Sequence, residues 1–363
     1  MRLVLLIAVL FFLSCSVIIP KLIPFNDLPL PAGEYRVGTR IFYWENDKRE
    51  EWFTDEDGDF RKLVVQVWYP ADTTAPGILY IDHPDIRIGP LARRIELPEF
   101  LIKHIDKVHS NSILDAEIVH LDYLLPLVVF SHGLGGMRMQ NTVQMEELAS
   151  WGYMVVAMDH PYDANITIFE DGSTAEFRSG LRDDADEEEF WEVRLPQIRT
   201  RAADVSFILD LIHENIKRRD PFWSKTSVEN VGIMGHSYGG ATGIVAAYKD
   251  TRIAACLNLD GWMEPIESSI ISNGLKVPFL YLGQENWDDT PLNYMKLDSL
   301  IQSSQGTKII FPGTKHFDFS DTPYLSPIAQ KVGISGSMNM DSVRSELNTH
   351  MVNFFNSHLV KDM

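Results

Sequence analysis

The sequence predicts an α/β domain with a mostly parallel central sheet covered by helices on both faces. Three observations carry this. From residue 32 onward, short apolar runs alternate with segments of helical periodicity. The apolar runs, such as "LPLVVFS" at 125–131, "MVVAMD" at 154–159 and "IAACLNL" at 253–259, are near-continuous rather than alternating. Strands of that kind are buried on both faces. Finally, "GHSYGG" at 235–240 joins the run "VGIM" to the small-residue helix "ATGIVAAYK". This strand, tight turn and helix is the context that gives a G-x-S-x-G stretch meaning.

The elements follow in order. "MRLVLLIAVLFFLSCSVIIPK" opens the chain with Arg2 and an apolar run that reaches Ile19. Residues 1–19 read as a signal peptide or membrane anchor outside the fold. Three readings stay open. "FLSC" at 12–15 fits a bacterial lipoprotein processing site with Cys15 as the lipidated residue, the 17-residue run is near the lower limit for an uncleaved anchor, and cleavage elsewhere would release the protein. All three place the body outside the cytoplasm, at the cell envelope or secreted. Residues 20–31 are proline-rich and read as a tether, and 32–363 as one domain.

"RIFYW" at 40–44 and "KLVVQVWYP" at 62–70 look like paired strands, with "DEDGD" at 55–59 as their turn. A calcium loop would need glutamate at its twelfth position, where Gln66 stands. Strand 125–131 runs into the glycine-rich "HGLGG", and "EELASWGYMVVAMDHP" is a helix end, a turn and a buried strand. "DDADEEE" at 183–189 reads as a solvated loop or helix face. Val205, Ile208, Leu209 and Ile212 mark a helix over 193–218. Strands at 231–234, 253–261, 277–283 and 307–313 follow, and an amphipathic helix at 341–359 closes the chain.

Bulk properties narrow the function. The 363 residues carry a net charge of −19, which argues against a nucleic-acid partner. The two cysteines are Cys15 and Cys256, and Cys256 in "IAACLNL" reads as a buried small hydrophobe, so no internal disulfide is expected. No histidine or cysteine cluster has metal-ligand spacing, and neither a metal nor a cofactor is expected.

Ligands of parallel sheets bind beyond the carboxyl ends of the strands. Ser237, the "HGLGG" loop, Asp260 and His316 all follow predicted strands directly. A serine hydroxyl needs an adjacent base to act as nucleophile. The histidines downstream of Ser237 are His316, His350 and His358, and His316 alone lies in a loop after the last strand. The acid stays open on spacing: Asp260 ends the strand after the nucleophile helix, while Glu285 ends the next one, followed by Asp288 and Asp289. Two backbone N–H groups are required for the oxyanion, and Tyr238 and Leu134 are the candidates. His132, His160 and His236 read as loop-orienting groups.

The chain resembles the plasma-type (isoform II) platelet-activating factor acetylhydrolases and their bacterial relatives, of the α/β-hydrolase fold. The matching pieces are "VGTRIFYW", "VQVWYP", "LVVFSHGLGGMR", "MDHPYDA", "RTRAADVSFILD", "GHSYGGAT" and "LNLDGWMEP". They occur in the family's order over nearly all of 35–320. The resemblance implies a calcium-independent serine esterase acting on short or oxidatively truncated acyl groups of phospholipids. It implies Asp260 as the acid, in the "LD-x-W" segment, and His316 as the base. Leu134 and Tyr238 correspond to the oxyanion donors. Tyr238 stands where phenylalanine is usual. Segment 80–125 matches poorly and reads as a divergent insert near the pocket. The partners implied are a small-molecule or phospholipid ester and, through the N-terminus, a membrane.

Overall fold

The computed structural model describes residues 18–178, 180–182, 184–287 and 290–360. Its core is a nine-stranded sheet. The strands are β1 (Arg36–Glu50), β2 (Phe60–Ala71), β3 (Ser112–Leu114), β4 (Leu125–Ser131), β5 (Met154–Asp159), β8 (Thr226–His236), β9 (Ile253–Leu259), β10 (Phe279–Gly283) and β11 (Thr307–Ile310). β6 (Ile166–Ile168) and β7 (Thr174–Glu176) form a separate small hairpin. The order in the sheet is β11-β10-β9-β8-β4-β5-β2-β1-β3. Every neighbouring pair from β11 to β5 is parallel, and the β5–β2 and β2–β1 pairs are antiparallel. The long β1–β2 hairpin is the expected strand pair. The acidic stretch is its turn, where Gly58 supplies a φ of 80°.

The side-chain period of two explains the near-continuous apolar runs. On β4, Leu127 and Val129 face one core, and Val128 and Phe130 face the other. The principal helices are α1 (Pro84–Arg94), α2 (Thr142–Ser150), α3 (Glu187–Lys217), α4 (Tyr238–Lys249), α5 (Pro291–Ser304) and α6 (Met340–Leu359). α3, α4 and α5 cover the first face with residues such as Val205, Ile244 and Leu297. α2 and α6 cover the second with Met145, Leu148, Met351 and Phe355. This is the expected α/β-hydrolase sandwich.

Some expectations need correction. α3 starts earlier than the apolar period suggests. Asp186 caps it by accepting the Glu189 N–H at 3.0 Å, and three glutamates occupy its first turn. Acids there are stabilised by the helix dipole, so the charge run is a helix start. The stretch expected as a tether also lies against the body from residue 23. Leu28 is buried, the Asn26 N–H donates to the Leu325 carbonyl at 2.9 Å, and the Leu28 N–H donates to that of His109 at 3.0 Å. Residues 1–17, with Cys15, lie outside the described residues. Among the described residues no helix is long and apolar enough to cross a membrane.

The insert has its own small core, in which Tyr80, Ile88, Ile102 and Ile105 pack on Met137 and Met139. A buried ion cluster pins it. Arg138, just after the "HGLGG" loop, donates to Asp159 at 2.7 Å and to Asp82, and Arg87 of α1 donates to Asp82 at 2.5 Å. The insert thus abuts the loop that follows β4.

Candidate active site

Ser237 sits between β8 and α4 with φ 58° and ψ −124°. A side chain other than glycine is strained there and needs surrounding structure to hold it. That structure is visible. The Ser237 N–H donates to the Leu259 carbonyl at 3.0 Å, and its own carbonyl accepts from the N–H groups of Gly240 at 2.9 Å and Trp262 at 3.0 Å. The glycines allow the close approach. A Cβ on Gly239 would lie 1.9 Å from the Ser131 carbonyl oxygen, and one on Gly235 2.1 Å from that of Gly239.

Asp260 follows β9 with φ 45° and is fully buried. Its carboxylate collects five hydrogen bonds. Oδ1 accepts from the Tyr281 hydroxyl (2.9 Å), the Gln284 N–H (3.1 Å) and the Trp287 indole (3.1 Å). Oδ2 accepts from the Gln284 amide at 2.8 Å and from His316 Nδ1 at 2.6 Å. Burial alone would raise the carboxyl pKa, but the hydrogen bond and charge of His316, with the Gln284 N–H, bring it below the ordinary carboxylate value. His316 lies in a short turn after β11, partly open to solvent, between the ring of His236 at 4.5 Å and the edge of Trp287 at 4.8 Å. Glu285 is exposed, and its carboxylate accepts the Gly313 N–H at 3.2 Å. The geometry therefore pairs His316 with Asp260 rather than Glu285. Asp288 and Asp289 lie outside the described residues.

The loop after β4 folds back on itself. The Gly135 N–H donates to the Asp163 carbonyl at 2.7 Å, the Gly136 N–H to that of Gly133 at 3.0 Å, and the Gly133 N–H to Gln140 Oε1 at 3.2 Å. A Cβ on Gly133 would lie 3.2 Å from Ser237 Cβ, so loop and serine are in close contact. Among the described residues no hydrogen bond engages the N–H of Leu134 or of Tyr238. The Tyr238 side chain points away from this place. It is buried, donates to Gln197 Oε1 at 3.1 Å and lies 4.9 Å beneath the Arg201 guanidinium. The backbone N–H is thus what Tyr238 offers to the site.

A second serine, histidine and aspartate also meet. Ser131 Oγ lies 3.0 Å from His160 Nε2, and His160 Nδ1 2.8 Å from Asp204 Oδ2. All three are fully buried, and Arg61 also pairs with Asp204 at 2.7 Å. Triad distances without access for a substrate make this a structural network that joins β4, β5 and α3. His132 belongs beside it. Burial, then Arg201, pushes its pKa down to about 3, so it stays neutral, donates from Nδ1 to the Gly133 carbonyl at 2.6 Å and accepts the His160 N–H at 3.1 Å. His132 and His160 orient loops, as expected from the sequence. Gln140, Tyr281, Gln284 and Trp287 carried no motif that would single them out, and only folding brings them to the site. Among the described residues no group of three metal-binding side chains lies together.

The family model for platelet-activating factor acetylhydrolase, isoform II, matches residues 25–363. The chain belongs to this family. The relatives include platelet-activating factor acetylhydrolase of Gallus gallus, 29% identical over 263 residues, 64% of this chain and 62% of that one. The Cavia porcellus enzyme is 26% identical over 330 residues, 82% of this chain and 73% of that one. A probable 1-alkyl-2-acetylglycerophosphocholine esterase of Arthroderma benhamiae is 24% identical over 225 residues, covering 60% and 54%. The chain spans 62% of the Gallus gallus relative, 48% of that of Canis lupus familiaris and 57% of that of Bos taurus. A solved structure of ferulic acid esterase from Streptomyces cinnamoneus superposes with a TM-score of 0.73 at 24% identity, covering 92% of this chain and 93% of that one. That likeness bears on the fold alone.

Proposed function

We propose that this isoform II family member is a calcium-independent serine ester hydrolase that removes short or truncated acyl groups, including those of phospholipids, through an acyl-enzyme. The observation that carries the proposal is the 2.6 Å bond from His316 Nδ1 to the buried Asp260, at an imidazole stacked beside the strained Ser237 turn. In this reading Ser237 Oγ attacks the ester carbonyl, and His316 Nε2 takes its proton. Asp260 holds the imidazole in the tautomer that leaves Nε2 free and stabilises the imidazolium as it forms. The unpartnered N–H groups of Leu134 and Tyr238 receive the developing oxyanion. His316 then gives the proton to the leaving alcohol, and water attacks the acyl-enzyme by the reverse path.

The names of the relatives support an acetyl-bearing glycerophospholipid as one substrate. The apolar leader with Cys15 supports export and attachment to a membrane at the cell envelope, by a lipid or an uncleaved anchor. The test is hydrolysis by the full chain of p-nitrophenyl acetate, butyrate and octanoate, and of a 2-acetyl phospholipid beside its 2-palmitoyl counterpart, with and without a calcium chelator. Preference for acetyl in both series, unaffected by chelation, supports the proposal. Equal rates for acetyl and palmitoyl phospholipid overturn the acyl preference.

A further inference from the structure

We infer that Gln140 and His236 act as a positioning pair that ties the oxyanion loop to the loop carrying His316, so that both halves of the site keep one geometry. The inference rests on the proposed roles of Ser237, His316 and Leu134. Gln140 lies seven residues beyond Gly133, just before α2, and both ends of its amide are used. Oε1 accepts the Gly133 N–H at 3.2 Å, and Nε2 donates to His236 Nδ1 at 2.6 Å. The other ring nitrogen of His236, Nε2, donates to the His316 carbonyl at 3.0 Å.

Only one arrangement of protons satisfies this chain of bonds. If the Gln140 amide were reversed, its NH₂ would face the Gly133 N–H. If the proton sat on Nδ1 of His236, its bare Nε2 would face the His316 carbonyl oxygen, acceptor against acceptor. His236 is therefore a neutral imidazole with its hydrogen on Nε2. Burial, followed by the neighbouring His316, holds its pKa at about 3, in agreement. This neutrality matters to its neighbour. The His236 ring stacks on that of His316 at 4.5 Å and 32°, so a second cation there would oppose the charge that His316 gains when it takes the serine proton.

The two segments are also joined by backbone. The Asp321 N–H donates to the Gln140 carbonyl at 3.0 Å, and Asn141 Nδ2 to that of Phe319 at 2.7 Å. These bonds dock the loops whatever side chain stands at 140. What the Gln140 amide adds is orientation of the His132–Gly133 peptide, which leads directly into Leu134, on one side and of His316 on the other.

The test is steady-state hydrolysis of p-nitrophenyl acetate by the full chain and its variants, with Ser237→Ala as control. Gln140→Met keeps the length and apolar stem but removes both bonds. It is expected to lower kcat by about tenfold to a hundredfold, with KM within about twofold, because misplacement rather than binding is at stake. His236→Gln presents an amide that can still accept from Gln140 and donate to the His316 carbonyl. It should recover most of what His236→Leu loses. The double variant Gln140→Met with His236→Leu should lose less than the two single losses combined, because the Gln140–His236 bond is counted in both. A Gln140→Met kcat within about twofold of wild type, a loss confined to KM, or additive losses in the double variant overturn the inference while Ser237-dependent activity stands. Wild-type activity that does not depend on Ser237 overturns the esterase proposal and this inference with it.

Discussion

Asp260 and His316 lie 56 positions apart in the chain and meet at 2.6 Å, with the carboxylate fully buried and the imidazole partly open. The burial is made tolerable by the hydrogen bonds the carboxylate accepts from Tyr281, Gln284 and Trp287, which satisfy lone pairs that His316 does not reach. Asp260→Asn keeps the shape and reverses the preferred tautomer of His316, so kcat for p-nitrophenyl acetate should fall about 10⁴-fold. Glu285→Gln, on an exposed residue whose carboxylate accepts the Gly313 N–H, should stay within about threefold. The reverse ranking would place the acid on Glu285.

The elbow at Ser237 has no room for a methyl group at Gly239. The Ser131 carbonyl sits 1.9 Å from where the Cβ would be, and a backbone atom cannot swing aside as a side-chain tip can. Gly239→Ala should cost about 3 kcal/mol or more in urea unfolding, together with most of the activity. An unchanged unfolding midpoint would mean that strand β4 and helix α4 are looser than described.

Glu146 in α2 is fully buried, and burial raises its pKa to about 7, against the hydrogen bonds from Ser112 and Asn111 that pull it down. A carboxyl whose folded pKa lies above its unfolded value binds its proton more tightly in the folded chain. Its contribution is therefore fully present at acid pH, is lost as pH rises from about 4.5 to 7, and changes no further above that. The loss amounts to about 3 kcal/mol at most. Unfolding free energies measured at pH 5 and pH 8 should drop less for Glu146→Gln than for wild type. Equal drops would remove Glu146 as the source.

Arg138 joins the loop after β4 to the insert by pairing with Asp159 and Asp82. Arg138→Met leaves Asp159 buried with Arg87, at 3.5 Å, as its one remaining cation among the described residues. A destabilisation of about 3–5 kcal/mol in urea unfolding is expected, because an uncompensated buried charge costs more than the pair contributes. A change below about 1 kcal/mol would show the cluster to be dispensable.

The fold was legible because its strands are buried on both faces and therefore read as unbroken apolar runs. Ser237 and His316 were legible because each follows such a run. The acid was not separable by spacing, since Asp260 and Glu285 both follow strands. What distinguishes them is tertiary: Asp260 turns inward at a positive φ, where Tyr281, Gln284 and Trp287 converge, and Glu285 turns out to cap Gly313. Gln140 was invisible for a related reason. A glutamine beyond a glycine-rich loop is unremarkable until folding brings His236, 96 residues later, to its amide. The docking of residues 23–31 was missed because prolines suggested a spacer, whereas Leu28 and two backbone N–H groups fix the segment to the body.

The most direct test of the central claim is the hydrolysis of p-nitrophenyl acetate by the full chain beside its Ser237→Ala variant. The account predicts serine-dependent release, lowered roughly a million-fold in the variant. A Ser237→Ala rate within about tenfold of wild type would contradict it.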